Sequence, residues 1–480
     1  MSGLSLNTEA PATGRPVVRP SRLWLQIAAV FLGTVLLVWA GAWWRARIAC
    51  AQIRSLAVLP FSDLTRPNEN WFAASFTGEI IDALDRVPGL HVIARTSAFK
   101  VRGDAGRQLG VAAVLEGSVS QRGDRVHVAL AMTRTSDRYH LWSANYDRPV
   151  RDLQGLHEAL AAAIAGRLDV RLPALPHRHQ PAPQAYAAYL QGRYLFDQAN
   201  PDALNHATER LEQATSIDPG FVRAWAWLSI VREYRVAAGM ARPNQAMPGS
   251  RDAAERAVAL DPDSDAAHLA LGIVKLQYDW DWAGAKQELD RVVQTNPESA
   301  FAAHWRARWF QSQGRMDEAI SETGRALALD PFSAAIAGDA ASQYVSLNRP
   351  ERALPFAQKA VDLAPDDPGA LAALANVLWL AGQREKSRQI VDGLRNSGAA
   401  AKLPASVLAS LEARLGEPAG ARQLLDQAED LPDDQLLPAV DYARLAGVIE
   451  DWDRLFSWTE EALGERDVEL PYWWGSPLVP

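Results

Sequence analysis

The stretch "ALDPFSAAI", Ala328–Ile336, decides how the larger part of the chain is read. Close variants of it occur four more times: "SIDPGFVRAW" (216–225), "ALDPDSDAAH" (259–268), "QTNPESAFAAH" (294–304) and "DLAPDDPGAL" (362–371). Their prolines are Pro219, Pro262, Pro297, Pro331 and Pro365, spaced by 43, 35, 34 and 34 residues. A proline stops a helix, because it lacks the N–H donor and its ring meets the preceding turn. Small residues recur at fixed offsets before it: Ala319 and Ala326 in one unit, Ala353 and Ala360 in the next, with Gly314 between two helical runs. Alanine at those offsets lets two helices approach closely. The unit is a helix–turn–helix, and its recurrence predicts a stacked array.

A 34-residue helical pair with this internal pattern resembles the tetratricopeptide repeat. The 43-residue unit contains "GMARPNQAMPGS" (239–250), read as an insertion that lengthens one turn. Beyond Pro365 the phrase weakens. "GQREKSRQIVDGL", "GEPAGARQLLDQA" and "EDWDRLFSWTEEAL" still read as second helices of pairs, giving seven to eight pairs between Gln184 and Gly464. The resemblance implies a right-handed superhelix whose concave groove is lined by the first helix of each repeat. Projecting the register onto it puts Arg193, Glu233, His304, Arg308, Asn376 and Trp379 on the inner face. Each is equally what an ordinary helix surface carries. Trp225, Trp227, Trp305 and Trp309 read as packing residues.

Residues 54–171 have another texture. "SLAVLPFSDL" is a short strand ending in a turn, and in "FTGEIIDALDRV" Phe76, Ile80, Ile81 and Leu84 share one helical face. "DAGRQLG" is a short helix closed by Gly110. "VAAVLEGSVSQRGDRVHVALAMTR" reads as a hairpin about the turn "QRGD", and "YHLWSANY" as a further strand. "LQGLHEALAAAIAGRLDV" is an amphipathic helix. The order predicts a small α/β domain with a mixed sheet. The charges of Arg122, Asp124 and Arg125 are those of a solvated turn, so the hairpin reads as scaffold.

In sequence order, "SLAVLPFSDL", "WFAASFTGEIIDALDRVPGLHVIARTSAF", "LGVAAVLEGSV" and "RGDRVHVALAMTRTSDRYHLWSANYDR" resemble the TolB-amino-terminal-like domain of bacterial membrane proteins. "YDWDWAGAKQELDRVV" (278–293) is a phrase such arrays carry. The resemblance implies a domain held across the membrane from a cytoplasmic output module: a winged-helix DNA-binding domain, a nucleotide cyclase or a kinase. Here about 22 residues stand in that module's place.

"LWLQIAAVFLGTVLLVWAGAWW", Leu23–Trp44, is 22 residues without a charge. At about 1.5 Å per residue it spans about 33 Å, enough for a bilayer core of about 30 Å. It exits through Trp-Trp-Arg-Ala-Arg rather than a small-residue cleavage site, which argues for an uncleaved anchor over a signal peptide. Arg15, Arg19 and Arg22 before it balance Arg45, Arg47 and Arg54 after it. The shorter side is placed in the cytoplasm and the bulk of the chain in the periplasm.

The expected organisation is therefore a disordered cytoplasmic tail (1–22), a single transmembrane helix (23–44), a small α/β domain with mixed sheet (54–171), a Pro-rich linker (172–183), an all-α tetratricopeptide superhelix (184–466) and a tail (467–480). Within the linker, His177 and His179 read as solvated. Residues 172–480 carry 29 basic and 43 acidic side chains, a net of −14. Such a surface repels phosphate backbones, which argues against nucleic acid. Cys50 is the single cysteine, so neither an internal disulfide nor a multi-cysteine metal site is available. No P-loop, nucleophile elbow, zinc-protease or kinase signature is present, and no cofactor is implied. The reading is a non-enzymatic, membrane-anchored scaffold or sensor that binds a protein or peptide in its groove. The alternative is the sensor half of a split signalling system with a separate cytoplasmic effector.

Overall fold

A computed structural model describes residues 53–65, 71–101, 103–170, 179–198, 200–428, 430–431 and 437–473. The expected tail 1–22 and membrane helix Leu23–Trp44 lie outside these residues. Among the described residues no helix is long and apolar enough to cross a membrane.

The α/β domain has strands β1 (Ser55–Val58), β2 (Ser62–Asp63), β3 (His91–Val92), β4 (Ala113–Arg122), β5 (Arg125–Arg134) and β6 (His140–Pro149). The sheet runs β3-β1-β4-β5-β6, with β2 also on β4. β1 is parallel to β3 and β4, whereas β4, β5 and β6 form an antiparallel meander. Arg122 pairs with Arg125 around Gly123 and Asp124, and Gly123 takes a left-handed φ of 62°. Val126, Val128, Leu130 and Met132 point to the core at a strand's period of two. Gly117 is needed for space: a Cβ there would stand 2.8 Å from the Phe61 ring and 2.9 Å from Leu130. Helices α1 (Trp71–Leu84), α2 (Arg95–Lys100), α3 (Ala105–Leu109) and α4 (Leu153–Arg167) complete the domain, and α1 and α4 pack together.

Eight helix pairs follow among the described residues. Repeat 1 is Pro183–Phe196 with Pro201–Ile217, repeat 2 Val222–Ala237 with Pro243–Leu260, and repeat 3 Asp265–Val274 with Trp282–Thr295. Repeats 4 and 5 are Ala300–Ser312 with Met316–Leu329 and Ala334–Ser346 with Pro350–Leu363. Repeat 6 is Pro368–Leu380 with Arg384–Asn396, repeat 7 Ala405–Arg414 with Ala419–Ala428, and repeat 8 Ala439–Val448 with Trp452–Glu465.

The recurring phrase works at atomic level. In four of its copies a Ser or Asp two residues past the proline caps the next helix. Ser264, Ser299, Ser333 and Asp367 accept from the amides of Ala267, Ala302, Ile336 and Gly369. Ala319, Ala326, Ala353 and Ala360 are all buried at the contact between paired helices. The turn inside each pair has a backbone signature that outlasts the sequence phrase. Left-handed φ angles fall at Trp280, Gly314, Asn348, Gly382, Gly416 and Glu450, each 34 residues after the last. The period thus persists to the end of the array, carried by backbone conformation where the side-chain pattern fades.

Three expectations are corrected. The insertion in repeat 2 does not lengthen the turn: "PNQAMPGS" is the start of an 18-residue helix that accommodates Pro248. Residues 467–473 are not a free tail. Asp467, Val468, Leu470 and Tyr472 are buried, and Leu470–Tyr472 forms a short 3-10 turn against the helix Ala300–Ser312. In the linker, His179 Nε2 lies 2.7 and 2.8 Å from the two carboxylate oxygens of Asp218, so this ring is paired rather than merely solvated.

The α/β domain is built onto the array. Glu79 of α1 is buried, and Arg223 of repeat 2 grips it with two nitrogens at 2.5 and 2.9 Å. The hydroxyls of Tyr186 and Tyr189 in repeat 1 donate to it at 3.2 Å each. Burial alone would raise its pKa. Arg223, Arg193 and the neighbouring His157 outweigh burial and hold it at about 2. His157, buried beside the Phe76 ring, is pushed down to about 4, chiefly by burial. A second seam lies at the sheet's β3 edge. His91 meets Glu298 at 3.1 Å, Ser97 donates to Asp330, and Lys100 reaches the carbonyls of Phe332 and Leu363. β3 and α2 thereby cross three successive inter-repeat turns.

Candidate functional site

The six residues projected onto the inner face divide into three groups. Arg193 belongs to the junction with the α/β domain. Its Nη1 lies 3.0 Å from Asp82 and 3.1 Å from the Tyr189 hydroxyl, and its guanidinium stacks 3.7 Å from the Trp227 ring centre. Asn376 and Trp379 sit half-buried on the first helix of repeat 6. Trp379 donates from Nε1 to the Arg414 carbonyl at 2.7 Å and carries the Arg414 guanidinium 4.8 Å above its ring.

Glu233, His304 and Arg308 converge. Glu233 stands on the first helix of repeat 2, His304 and Arg308 on that of repeat 4. Gln277, in the π-helical turn Lys275–Asp279 that ends the first helix of repeat 3, donates to Glu233 Oε1 at 2.7 Å. Asp339, from repeat 5, approaches His304 at 3.2 Å and Arg308 at 3.8 Å. Four consecutive first helices therefore contribute to one polar cluster. Trp305 packs beside it, with Arg308 5.5 Å from its ring centre.

The cluster is incompletely satisfied. Glu233 Oε2, Gln277 Oε1, Trp305 Nε1 and Arg308 Nε are buried without a hydrogen-bond partner. Buried polar atoms are nearly always paired, and each orphan costs about 1–3 kcal/mol. The electrostatics follow. Burial pushes Glu233 up to about 8, Arg308 only partly offsets this, and Glu469 adds to it. Burial also lowers His304, against the pull of Asp339. Burial opposes the Arg308 charge too, but Tyr472, Asp339 and Glu469 hold it firmly cationic. At neutral pH the site offers one fixed cation, a protonated carboxyl, an amide and a neutral imidazole, framed by aromatic rings. That set recognises acidic and hydrogen-bonding groups. It holds no nucleophile–base pair. Among the described residues no three His, Cys, Asp or Glu side chains gather as a metal site.

Sequence reasoning located Glu233, His304 and Arg308 from the repeat register alone. It missed Gln277, Asp339, Glu469 and Tyr472. Gln277 lies where a π-helical turn shifts the register, and Asp339 could have been found by extending the projection one repeat. Glu469 and Tyr472 belong to a segment with no periodic signal.

One comparison with known families bears on the repeats. Residues 344–411 match the tetratricopeptide repeat family. The chain is 34% identical over 189 residues to a protein of Rhizobium meliloti (strain 1021) named "Putative adenylate cyclase 3". That match covers 37% of this chain and 32% of the relative, so the chain spans about a third of that protein's length. Among solved structures, the human IFIT1 dimer with m7Gppp-AAAA is similar over 66% of this chain and 82% of that one, at 14% identity and a TM-score of 0.47. A thermophilic TPR protein of Thermus thermophilus is similar over 40% of this chain and 98% of that one, at 21% identity and a TM-score of 0.35. The described residues form a small mixed-sheet domain followed by a helical array like a tetratricopeptide solenoid, and the family match falls within that array.

Proposed function

We propose that this chain is a non-enzymatic protein-interaction scaffold or sensor. Its repeat groove binds a protein or peptide, and the residues Leu23–Trp44 anchor it to a bacterial inner membrane with the bulk of the chain in the periplasm. The α/β domain is read as TolB-amino-terminal-like, on the sequence resemblance. The observation that carries the binding role is the Glu233–Gln277–His304–Arg308 cluster. Three repeats place desolvated, under-partnered polar groups together, a costly arrangement for side chains with no work to do. The −14 net charge of residues 172–480 argues against nucleic acid as a partner.

A photo-crosslinking residue at Asn376 or Arg308, compared with one on the second helices at Lys359 or Lys386, tests the groove. Polypeptide adducts only from the first pair are expected; equal yields from both would contradict it. Labelling Cys50 with a membrane-impermeant maleimide in spheroplasts and in lysed cells tests the orientation, the expected result being reaction before lysis.

The second reading makes the chain the sensor half of a split signalling system with a separate cytoplasmic effector. The relative from Rhizobium meliloti favours it, since its name is that of a signalling enzyme and only a third of its length is matched. Co-purification with a nucleotide cyclase or DNA-binding partner, lost when Leu23–Trp44 is replaced by an unrelated span, would support it.

A further inference from the structure

Residues 466–473, "RDVELPYW", follow the last helix and turn back onto the first helices of repeats 2 to 4. Arg466 makes the turn in a left-handed conformation, φ 57°, and its guanidinium reaches the carbonyls of Tyr278 and Asp279 at 3.3 and 3.4 Å. Beyond it the side chains alternate. Val468 joins the core cluster that includes Ile230, Trp305 and Trp309. Leu470 packs in a second cluster with Ala439, Val440 and Ala462. Tyr472 lies under Arg308, whose guanidinium stands 4.0 Å from its ring centre. Between them Glu469 faces Arg308 at 3.4 Å and Arg444 at 3.8 Å. The segment is an acidic–aliphatic–aromatic peptide bound to the candidate site by the chain itself.

We infer that Asp467–Trp473 is an internal occupant of the repeat groove, and that the partner is a peptide segment of the same chemistry, aliphatic residues alternating with acids and followed by an aromatic, which displaces it. This inference rests on the groove-binding reading above. Three features support it. The occupant uses Arg308 in both ways a peptide can: a carboxylate contact and a cation–π contact. Its polar contacts are long, at 3.4 and 3.8 Å, and it leaves Glu233 Oε2 and Gln277 Oε1 without partners. A competitor that hydrogen-bonds those atoms has something to gain over it. The segment is also tethered through a single left-handed residue and a three-residue 3-10 turn, so it can leave without unfolding a helix. Intramolecular attachment gives it a high effective concentration, which sets a threshold that only a matching partner passes.

The test uses the purified 480-residue chain and a fluorescein-labelled synthetic peptide of residues 466–473, read by fluorescence anisotropy. The Glu469→Ala/Tyr472→Ala chain, with its own segment loosened, is expected to bind the peptide at least tenfold tighter than the unsubstituted chain. Adding Arg308→Glu is expected to remove at least tenfold of that gain, and a scrambled peptide is expected not to bind. Circular dichroism checks the fold. If the double variant unfolds, Glu469→Gln, which keeps the packing, carries the same comparison. Equal affinity for opened and unsubstituted chains, or binding indifferent to Arg308→Glu, overturns the inference. A peptide array separates the two readings. If the opened chain binds other peptides through Arg308 but not residues 466–473, the inference falls and the groove reading stands. If it binds none, both fall.

Discussion

Two buried charge clusters of this molecule hold a glutamate each, and the two glutamates are tuned in opposite directions. At the junction, Glu79 receives two guanidinium contacts and two tyrosine hydroxyls, and its pKa sits at about 2. In the groove, Glu233 receives one amide, and its pKa rises to about 8. Burial acts on both in the same sense. What separates them is how completely the neighbours answer the charge. At the junction both oxygens of the Glu79 carboxylate are answered, although His157 Nε2 and Arg193 Nε beside it have no hydrogen-bond partner, and these contacts tie two domains together. In the groove one oxygen of the Glu233 carboxyl has no partner, and under the groove-binding proposal that is the atom a bound peptide would reach. Under that proposal the junction serves architecture and the groove serves recognition.

The largest effect is expected at the junction. Glu79→Ala removes both short contacts of the Arg223 guanidinium in a buried setting, leaving it Asp82 at 3.6 Å, and losing one partner of a buried ion pair costs about 3–5 kcal/mol. Urea unfolding monitored by tryptophan fluorescence should show a large fall in midpoint, with the α/β domain and repeats 1–2 losing structure together. An unchanged midpoint would break the distinction between the clusters.

A smaller effect is expected from Arg308→Ala. Tyr472 loses the cation over its ring and Glu469 keeps only Arg444 at 3.8 Å, and a desolvated cation–π contact is worth about 2 kcal/mol. Hydrogen exchange in residues 466–473 should accelerate while the junction helices Trp71–Leu84 and Pro183–Phe196 keep their protection.

The pH dependence sharpens the contrast. Glu79 has a folded pKa below its ordinary value of 4.5, so its stabilisation is full above about 4.5 and is lost as pH falls towards 2. Glu233 is raised above 4.5 to about 8, so the folded chain holds a proton that the unfolded chain releases. Its contribution therefore declines as pH climbs from about 4.5 through 8. Melting temperatures of the unsubstituted chain and of Glu233→Gln should converge near pH 4.5 and diverge towards pH 8, the variant being the more stable.

The smallest effect is expected at the hairpin. Arg125 and Asp147 form an exposed pair, with side chains 47% and 44% accessible. Such pairs are screened by solvent, so Arg125→Ala should leave both the unfolding midpoint and peptide binding unchanged. A measurable loss of binding would move recognition to the α/β domain.

The repeats were legible because proline and the paired alanines act locally, each within one or two helical turns. The hairpin was legible for the same reason: strand alternation and a Gly-Asp turn are short-range signals. The junction was not. Glu79 and Arg223 are 144 residues apart, and nothing in either neighbourhood marks the other. Arg193, given to the groove by register alone, is diverted to Asp82 by that same long-range packing. "DVELPYW" reads as a tail because it has no helical period; it is buried through alternation over only three apolar side chains. Repeat registers thus fix which helix face a residue occupies, and long-range docking decides what meets that face.

The central claim is that the junction is permanent and the groove exchangeable. Native-state hydrogen exchange on the 480-residue chain, resolved by peptide, tests it most directly. The account predicts that residues 466–473 open in a separate, low-energy step, well before the helices that carry Glu79, Tyr189 and Arg223. Opening of all these segments in one common step would contradict it, and would make the groove as much a part of the architecture as the junction.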